Sequence, residues 1–136
     1  HLRSYDAVPP EWYDEKVGSR WAAIRRARAV VTSALEAARN DGAIKGSLQA
    51  APIVHVSNEI AALFAGEDAA ALFITSGAHI TDAAAPGDAF RVEGIDDVVV
   101  AFAVADGEKC ARCWKITPEV KVEDGICIRC ETVVNG

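Results

Sequence analysis

The stretch that decides the end of this fold reads Gly107-Glu108-Lys109-Cys110-Ala111-Arg112-Cys113-Trp114-Lys115 and resumes as Ile126-Cys127-Ile128-Arg129-Cys130. It holds all four cysteines of the chain, as two C-x2-C pairs separated by thirteen residues. Two-residue spacing turns both thiolates of a pair toward one metal, and two such knuckles complete a tetrahedron with Zn–S distances of about 2.3 Å. Four sulfur ligands leave no position open for water or substrate. The expected cofactor is therefore one structural zinc ion held by Cys110, Cys113, Cys127 and Cys130. Four thiolates overbalance the ion's charge, and Lys109, Arg112, Lys115 and Arg129 sit beside or between them to offset it. Paired disulfides would suit a secreted protein, and no secretion signal is seen at the N-terminus. A redox dithiol uses a single C-x-x-C on a helix, and a base-deaminase site needs H-x-E and an open ligand position.

Upstream, residues 43–106 read as a small α+β module. Ser47 to Val56 and Asp97 to Val104 are expected strands, the second too apolar for an open surface. Between them Asn58 to Ala65 has helical spacing, capped by Ser57 or Asn58. Glu67 to Ala71 is a second helical piece, Leu72 to Ile74 a short candidate strand, and Ala83 to Gly87 a loop. Three or four strands are expected, with Val98 to Val104, Leu63 and Ile53 as core. Their order is not legible from the sequence.

Residues 1–42 read as a lead-in and one long helix. Pro9 and Pro10 suit its start, and Gly42 its end. Val17, Trp21, Ile24, Val31, Leu35 and Ala38 recur at steps of three and four, forming an apolar stripe. Arg28 and Arg39 fall within that stripe, so each is expected to be paired, to meet a missing partner, or to line an RNA-facing groove. The fold class is thus α+β: a long N-terminal helix, a small mixed module and a C-terminal four-cysteine zinc knuckle.

The hydrophobic fraction of 51% and charged fraction of 25% are those of a globular protein, not of a disordered tail. No apolar run approaches the ~18 residues of a membrane span, and a cytoplasmic location is expected. A chain that starts at His1 and contains no methionine is expected to be a piece of a longer protein. The net charge of −6 argues against a polyanionic partner, but it is uneven. Lys16 to Arg39 carries six basic residues against Glu36 alone, whereas Asn40 to Asp106 carries ten acids against Lys45 and Arg91. RNA or DNA binding therefore stays open, through the first helix and the cysteine region. No catalytic constellation is visible: His55 and His79 are isolated, Lys45-Gly46-Ser47 is no phosphate loop, and no serine lies in a nucleophile elbow.

The zinc segment resembles that of the isoleucyl-tRNA synthetases, in which G-E-K-C-x-R-C-W is followed by C-x-R-C. Trp12, Trp21, Arg28 and Leu35 to Arg39 resemble the last helix of the family's anticodon-binding bundle. Ile44 to Ala50 resembles its I-G-x-S-L-E-A turn, with Lys45-Gly46 displacing the glycine and Gln49 replacing the glutamate, and Leu72 to Ser76 also fits. The resemblance implies three units: 1–42 ends the helical domain, 43–106 is the α+β module and 107–136 the zinc segment. It implies a parent that couples isoleucine to its tRNA with ATP. The ATP-handling signatures are missing here, so this segment is expected to be inactive alone, to use ATP only within the parent, and to hold tRNA. Partners would be the isoleucine tRNA and the parent's other domains, in a monomer. Lys109, Arg112, Trp114, Lys115 and Arg129 are the expected RNA contacts, with Trp114 either stacking on an unpaired base or packing over the zinc loop. The rival readings are a formamidopyrimidine-type DNA-glycosylase finger and a protein-interaction adaptor.

Overall fold

A computed structural model describes residues 6–120 and 125–136. Its backbone begins with a 3-10 turn at Pro10–Trp12, separate from the long helix α1 (Glu15–Asn40). The helix starts five residues later than Pro10 suggests because Asp14 makes the better cap. Its side chain accepts hydrogen bonds from the amides of Lys16 and Val17 at 2.9 and 3.0 Å. At the other end Gly42 takes φ +77° and lets the Ala43 amide reach back to the Ala38 carbonyl, 2.9 Å away. This is the stop expected there.

The buried face of α1 is Ile24, Ala27, Val30, Val31, Ala34, Leu35 and Ala38. Arg28 and Arg39 are exposed, which corrects their expected inward placement. The true stripe steps from Ile24 to Ala27 to Val31, and a small alanine occupies the place a one-residue error assigned to arginine. Val17, also expected in the stripe, is half-exposed. Arg39 pairs with Glu36 at 2.8 Å on the same helix face, an exposed pair worth little to stability.

Against α1 lies a four-stranded sheet in the order β2-β1-β4-β3, formed by β1 (Ile53–Val56), β2 (His79–Thr81), β3 (Phe90–Val92) and β4 (Ile95–Ala101). The two strands expected from sequence are neighbours at its centre, antiparallel, with Val54 opposite Val100. The first is shorter than expected. Ser47–Gln49 is a 3-10 turn, closed by Gln49 Oε1 accepting from the Lys45 amide at 2.6 Å. Pro52 then offers no amide to a ladder. Burial alternates along β1 so that Val54 and Val56 enter the core and Ile53 only half does. Leu63 is also half-buried and Val104 exposed, so of the expected core it is Val98 to Val100 that carries the load.

The parallel strand β2 is reached through α2 (Asn58–Leu63) and α3 (Ala69–Phe73), capped by Ser57 and Asp68 respectively. Leu72 to Ile74 is therefore not a strand. Leu72 and Phe73 end α3, and Ile74 turns the chain in the left-handed region at φ 57°. One apolar core runs through α1, β1, β4 and the two short helices. A second, separate cluster consists of Cys110, Val120, Cys127 and Cys130.

Candidate metal centre

Two short antiparallel strands, β5 (Glu108–Lys109) and β6 (Ile116–Thr117), form a hairpin whose turn is the first C-x2-C pair. The second pair lies at the start of α4 (Ile128–Asn135), with Cys127 as its cap residue and Cys130 in its first turn. That helix was not anticipated. Its i to i+4 hydrogen bond from Thr132 Oγ1 to the Ile128 carbonyl is a local signal that a string dominated by cysteines conceals. Each knuckle follows from local backbone bonding. The Cys110 amide donates to the Lys115 carbonyl at 2.8 Å, the Trp114 amide to the Cys110 carbonyl at 3.0 Å, and the Ala111 amide to the Gly125 carbonyl at 2.9 Å. The last of these joins the two halves.

The result places the four sulfurs within 4.8 Å of one another. Cys110, Cys127 and Cys130 are buried and Cys113 half-buried. Burial pushes the Cys110 thiol up, but the amides of Cys113, Cys127 and Arg112 outweigh it and hold the group at about 6. The first two of these amides lie 3.4 Å from its sulfur. Burial raises Cys113 to about 12, with the neighbouring thiols adding to the rise, and burial likewise raises Cys127. One sulfur is thus prepared as a thiolate, while others crowd one another, Cys113 and Cys127 standing 3.7 Å apart. Such a cluster is relieved by a divalent cation, and an all-sulfur set suits zinc. With the four positions supplied by protein, the ion is structural.

The residues expected to touch RNA are gathered on the same small unit. Arg112 is exposed, and its Nη1 donates toward Cys130 Sγ at 3.7 Å, offsetting thiolate charge. Lys109 Nζ stands 3.9 Å from the centre of the Trp114 ring. Trp114 is 58% exposed and left-handed, at φ 67°. Arg129 is exposed on α4, and Lys115 is half-buried with its carbonyl engaged by Cys110. Sequence reasoning missed Ser76. Its hydroxyl donates to the Leu48 carbonyl at 2.5 Å and accepts the Ile116 amide at 2.6 Å. Among the described residues this last bond is the only hydrogen bond joining residues 107–136 to those before them. Nothing local marks a serine forty residues away as the finger's anchor.

Residues 107–133 match the family described as "Zinc finger found in FPG and IleRS". Over longer spans the chain is similar to isoleucine–tRNA ligases. It is 44% identical to that of Ruegeria pomeroyi over 137 residues, covering 98% of this chain and 14% of the relative. Against Gluconobacter oxydans the identity is 41% over 139 residues, covering 100% and 14%, and against Agrobacterium fabrum 40% over 121 residues, covering 88% and 12%. The chain spans only about an eighth of the length of these curated relatives. A finger of the family found in FPG and IleRS thus lies at 107–133, and nearly the whole chain is similar to a short part of isoleucine–tRNA ligases.

Proposed function

We propose that this segment holds tRNA within an isoleucine–tRNA ligase, and that its own residues perform no step of amino-acid activation. In this reading the ligase joins isoleucine to its tRNA at the expense of ATP in the cytoplasm, using a catalytic core outside the chain. Residues 1–42 complete a helical RNA-binding domain, 43–106 form a spacer module, and 107–136 present a zinc-stabilised contact. Cys110, Cys113, Cys127 and Cys130 are the ligands of the structural zinc, and the ion's contribution is to fix the loop, not to act on substrate. Lys109, Arg112, Lys115 and Arg129 meet phosphates, and Trp114 meets a base.

The observation that carries the reading is Trp114: a large aromatic side chain, mostly exposed, held beside the four-cysteine cluster and under a lysine ammonium. Aromatic faces interleaved with cations are how unpaired RNA bases are commonly held. The test is aminoacylation by the full-length ligase carrying Arg112→Ala and Trp114→Ala, with isoleucine-dependent pyrophosphate exchange as control. Charging of tRNA should fall while exchange stays normal, and the isolated chain should show no exchange at all. If the double variant charges tRNA normally, the finger is a structural cap and the reading fails.

A further inference from the structure

The four sulfurs of the metal centre differ in access and in the donors that face them. Cys110, Cys127 and Cys130 are buried, at 0%, 4% and 1% exposure, whereas Cys113 is half-buried. Three backbone amides, those of Cys113, Cys127 and Arg112, face the Cys110 sulfur, and the Arg112 guanidinium reaches the Cys130 sulfur at 3.7 Å. A single backbone amide, that of Lys115, faces Cys113. Cys127 likewise has one, from Cys130, but is shielded from solvent. Each donor draws electron density from a sulfur and blunts it as a nucleophile. Cys113 therefore combines the best access with one of the least blunted sulfurs. Its surroundings are also cationic: Arg112 precedes it and Lys115 follows two residues on. A partly exposed sulfur in an electropositive setting is where cysteine chemistry concentrates, and coordination to a metal keeps such a sulfur deprotonated.

We propose that Cys113 is a site of oxidation by hydrogen peroxide, that Cys127 is its resolving partner, and that the disulfide they form discharges the metal. The proposal is independent of the tRNA reading. The Cys113 thiolate attacks one peroxide oxygen: an S–O bond forms, the O–O bond breaks and hydroxide leaves, giving the sulfenic acid. The Cys127 thiolate then attacks the Cys113 sulfur: an S–S bond forms, the S–O bond breaks and a second hydroxide leaves. Two thiolates give up two electrons, and one peroxide becomes two hydroxide ions, which the buffer protonates to water. The two sulfurs stand 3.7 Å apart and close to about 2.05 Å in a disulfide. Cys113 lies in the hairpin turn and Cys127 just ahead of α4, so neither is locked inside a regular element. Cys110 and Cys130 alone then remain to hold the ion, too few for a closed structural site. The change passes to the sheet through Ile116. Its amide donates to the Ser76 hydroxyl at 2.6 Å, and its strand closes the turn that carries Cys110 and Cys113. Loosening that hairpin frees the finger from the sheet.

The experiment treats the zinc-loaded chain with one equivalent of hydrogen peroxide. Released zinc is followed with a chromogenic chelator, free thiols by titration and the products by peptide mass mapping. One zinc should be released for every two thiols lost, the disulfide should join Cys113 to Cys127, and dithiothreitol with added zinc should reverse both. Cys127→His keeps four metal-binding side chains but removes the resolving thiol, so oxidation should stop at the Cys113 sulfenic acid, which dimedone traps. Cys113→His removes the attacking sulfur and should abolish zinc release at this dose. Should a histidine variant fail to take up zinc, the wild-type disulfide map decides alone. Amide exchange should quicken at Ile116 on oxidation while β1 and β4 stay protected. Zinc that remains bound with all thiols intact overturns the proposal. So do disulfides formed within each C-x2-C pair, or a dimedone adduct that appears on Cys110 or Cys130 and not on Cys113. An Ile116 amide that stays protected after zinc has left overturns the release of the finger from the sheet.

Discussion

Withdrawing zinc should unfold the chain from about Lys109 onward and leave the sheet standing. The reason lies in what fills the second core. Among the described residues it consists of Cys110, Val120, Cys127 and Cys130, with Cys113 and Ile126 packed against it. Only two of these are aliphatic, and fully burying a valine and an isoleucine contributes about 1.5–3 kcal/mol each. A structural zinc supplies on the order of 10–16 kcal/mol, so the metal dominates the stability of the finger. Replacing Cys127 by serine removes one ligand while leaving a good cap for α4, so the loss falls on the metal alone. The sheet has an independent core in Ile24, Val31, Val54, Val98 and Val100, none of which belongs to the cysteine cluster. The assay is a two-dimensional amide NMR spectrum before and after chelation, with zinc measured per chain. Signals from the finger should collapse toward random-coil positions while those of α1 and β1–β4 stay dispersed. A chain that contains no zinc as purified, or a finger that keeps its dispersion in Cys127→Ser, would refute the reasoning.

Acid should compete zinc from the site. Cys113, near 12 without metal, and Cys127, also raised, are protonated at pH 7, so binding must expel at least two protons. Zinc affinity measured against a chelating dye should therefore fall at least about 100-fold per unit of falling pH, and more steeply below about 6, where Cys110 also takes up a proton. The stability that zinc confers is thus present at neutral and alkaline pH and lost on acidification. Gly107→Ala should loosen the hairpin, because its φ of +106° costs a substituted residue about 1–3 kcal/mol and a Cβ there would stand 2.3 Å from the Thr117 carbonyl carbon. Faster exchange of the Cys110 amide, which is bound to the Lys115 carbonyl inside the hairpin, would report it, and unchanged exchange would count against the hairpin geometry. In urea melts Ile24→Ala should destabilise by about 2–5 kcal/mol and Arg28→Ala by no more than about 0.5. A large effect at Arg28 would restore the inward placement that the fold denies it.

The metal centre was legible because its information is local. Two cysteines with two residues between them face one point whatever the rest of the chain does, and the helix stop at Gly42 rests on the same kind of short-range geometry. The face of α1 was misplaced at Arg28 because alanine scarcely registers in an apolar pattern. Ala27 is wholly buried, yet the spacing from Ile24 to Val31 fits Arg28 equally well. Leu72 to Ile74 illustrates another limit: a run of three apolar residues has no period, and the cap that decided it, Asp68, lies before the run. Strand order and the Ser76 anchor depend on contacts tens of residues apart, and no pattern along the chain encodes them. Lys45 could be quoted from the sequence but not placed, since only the closing of the 45–49 turn sets it against Trp114.

Among the described residues, two ties between finger and sheet have a mechanical meaning. One is the chain itself, where the Ala105 amide makes the last sheet-like bond to the Gln49 carbonyl at 2.8 Å. The other is the Ser76 hydroxyl on the Ile116 amide. Two fixed points define a line, and a rigid body pinned at two points keeps a single rotation, as a door keeps the swing about its hinges. The finger is made rigid by its metal, so its softest motion is a rocking about that line. Such a rocking leaves both bonds intact and carries the indole toward or away from the 45–49 turn. The lower pin is one hydroxyl group; without it the door hangs from its upper hinge alone, and the one swing becomes three.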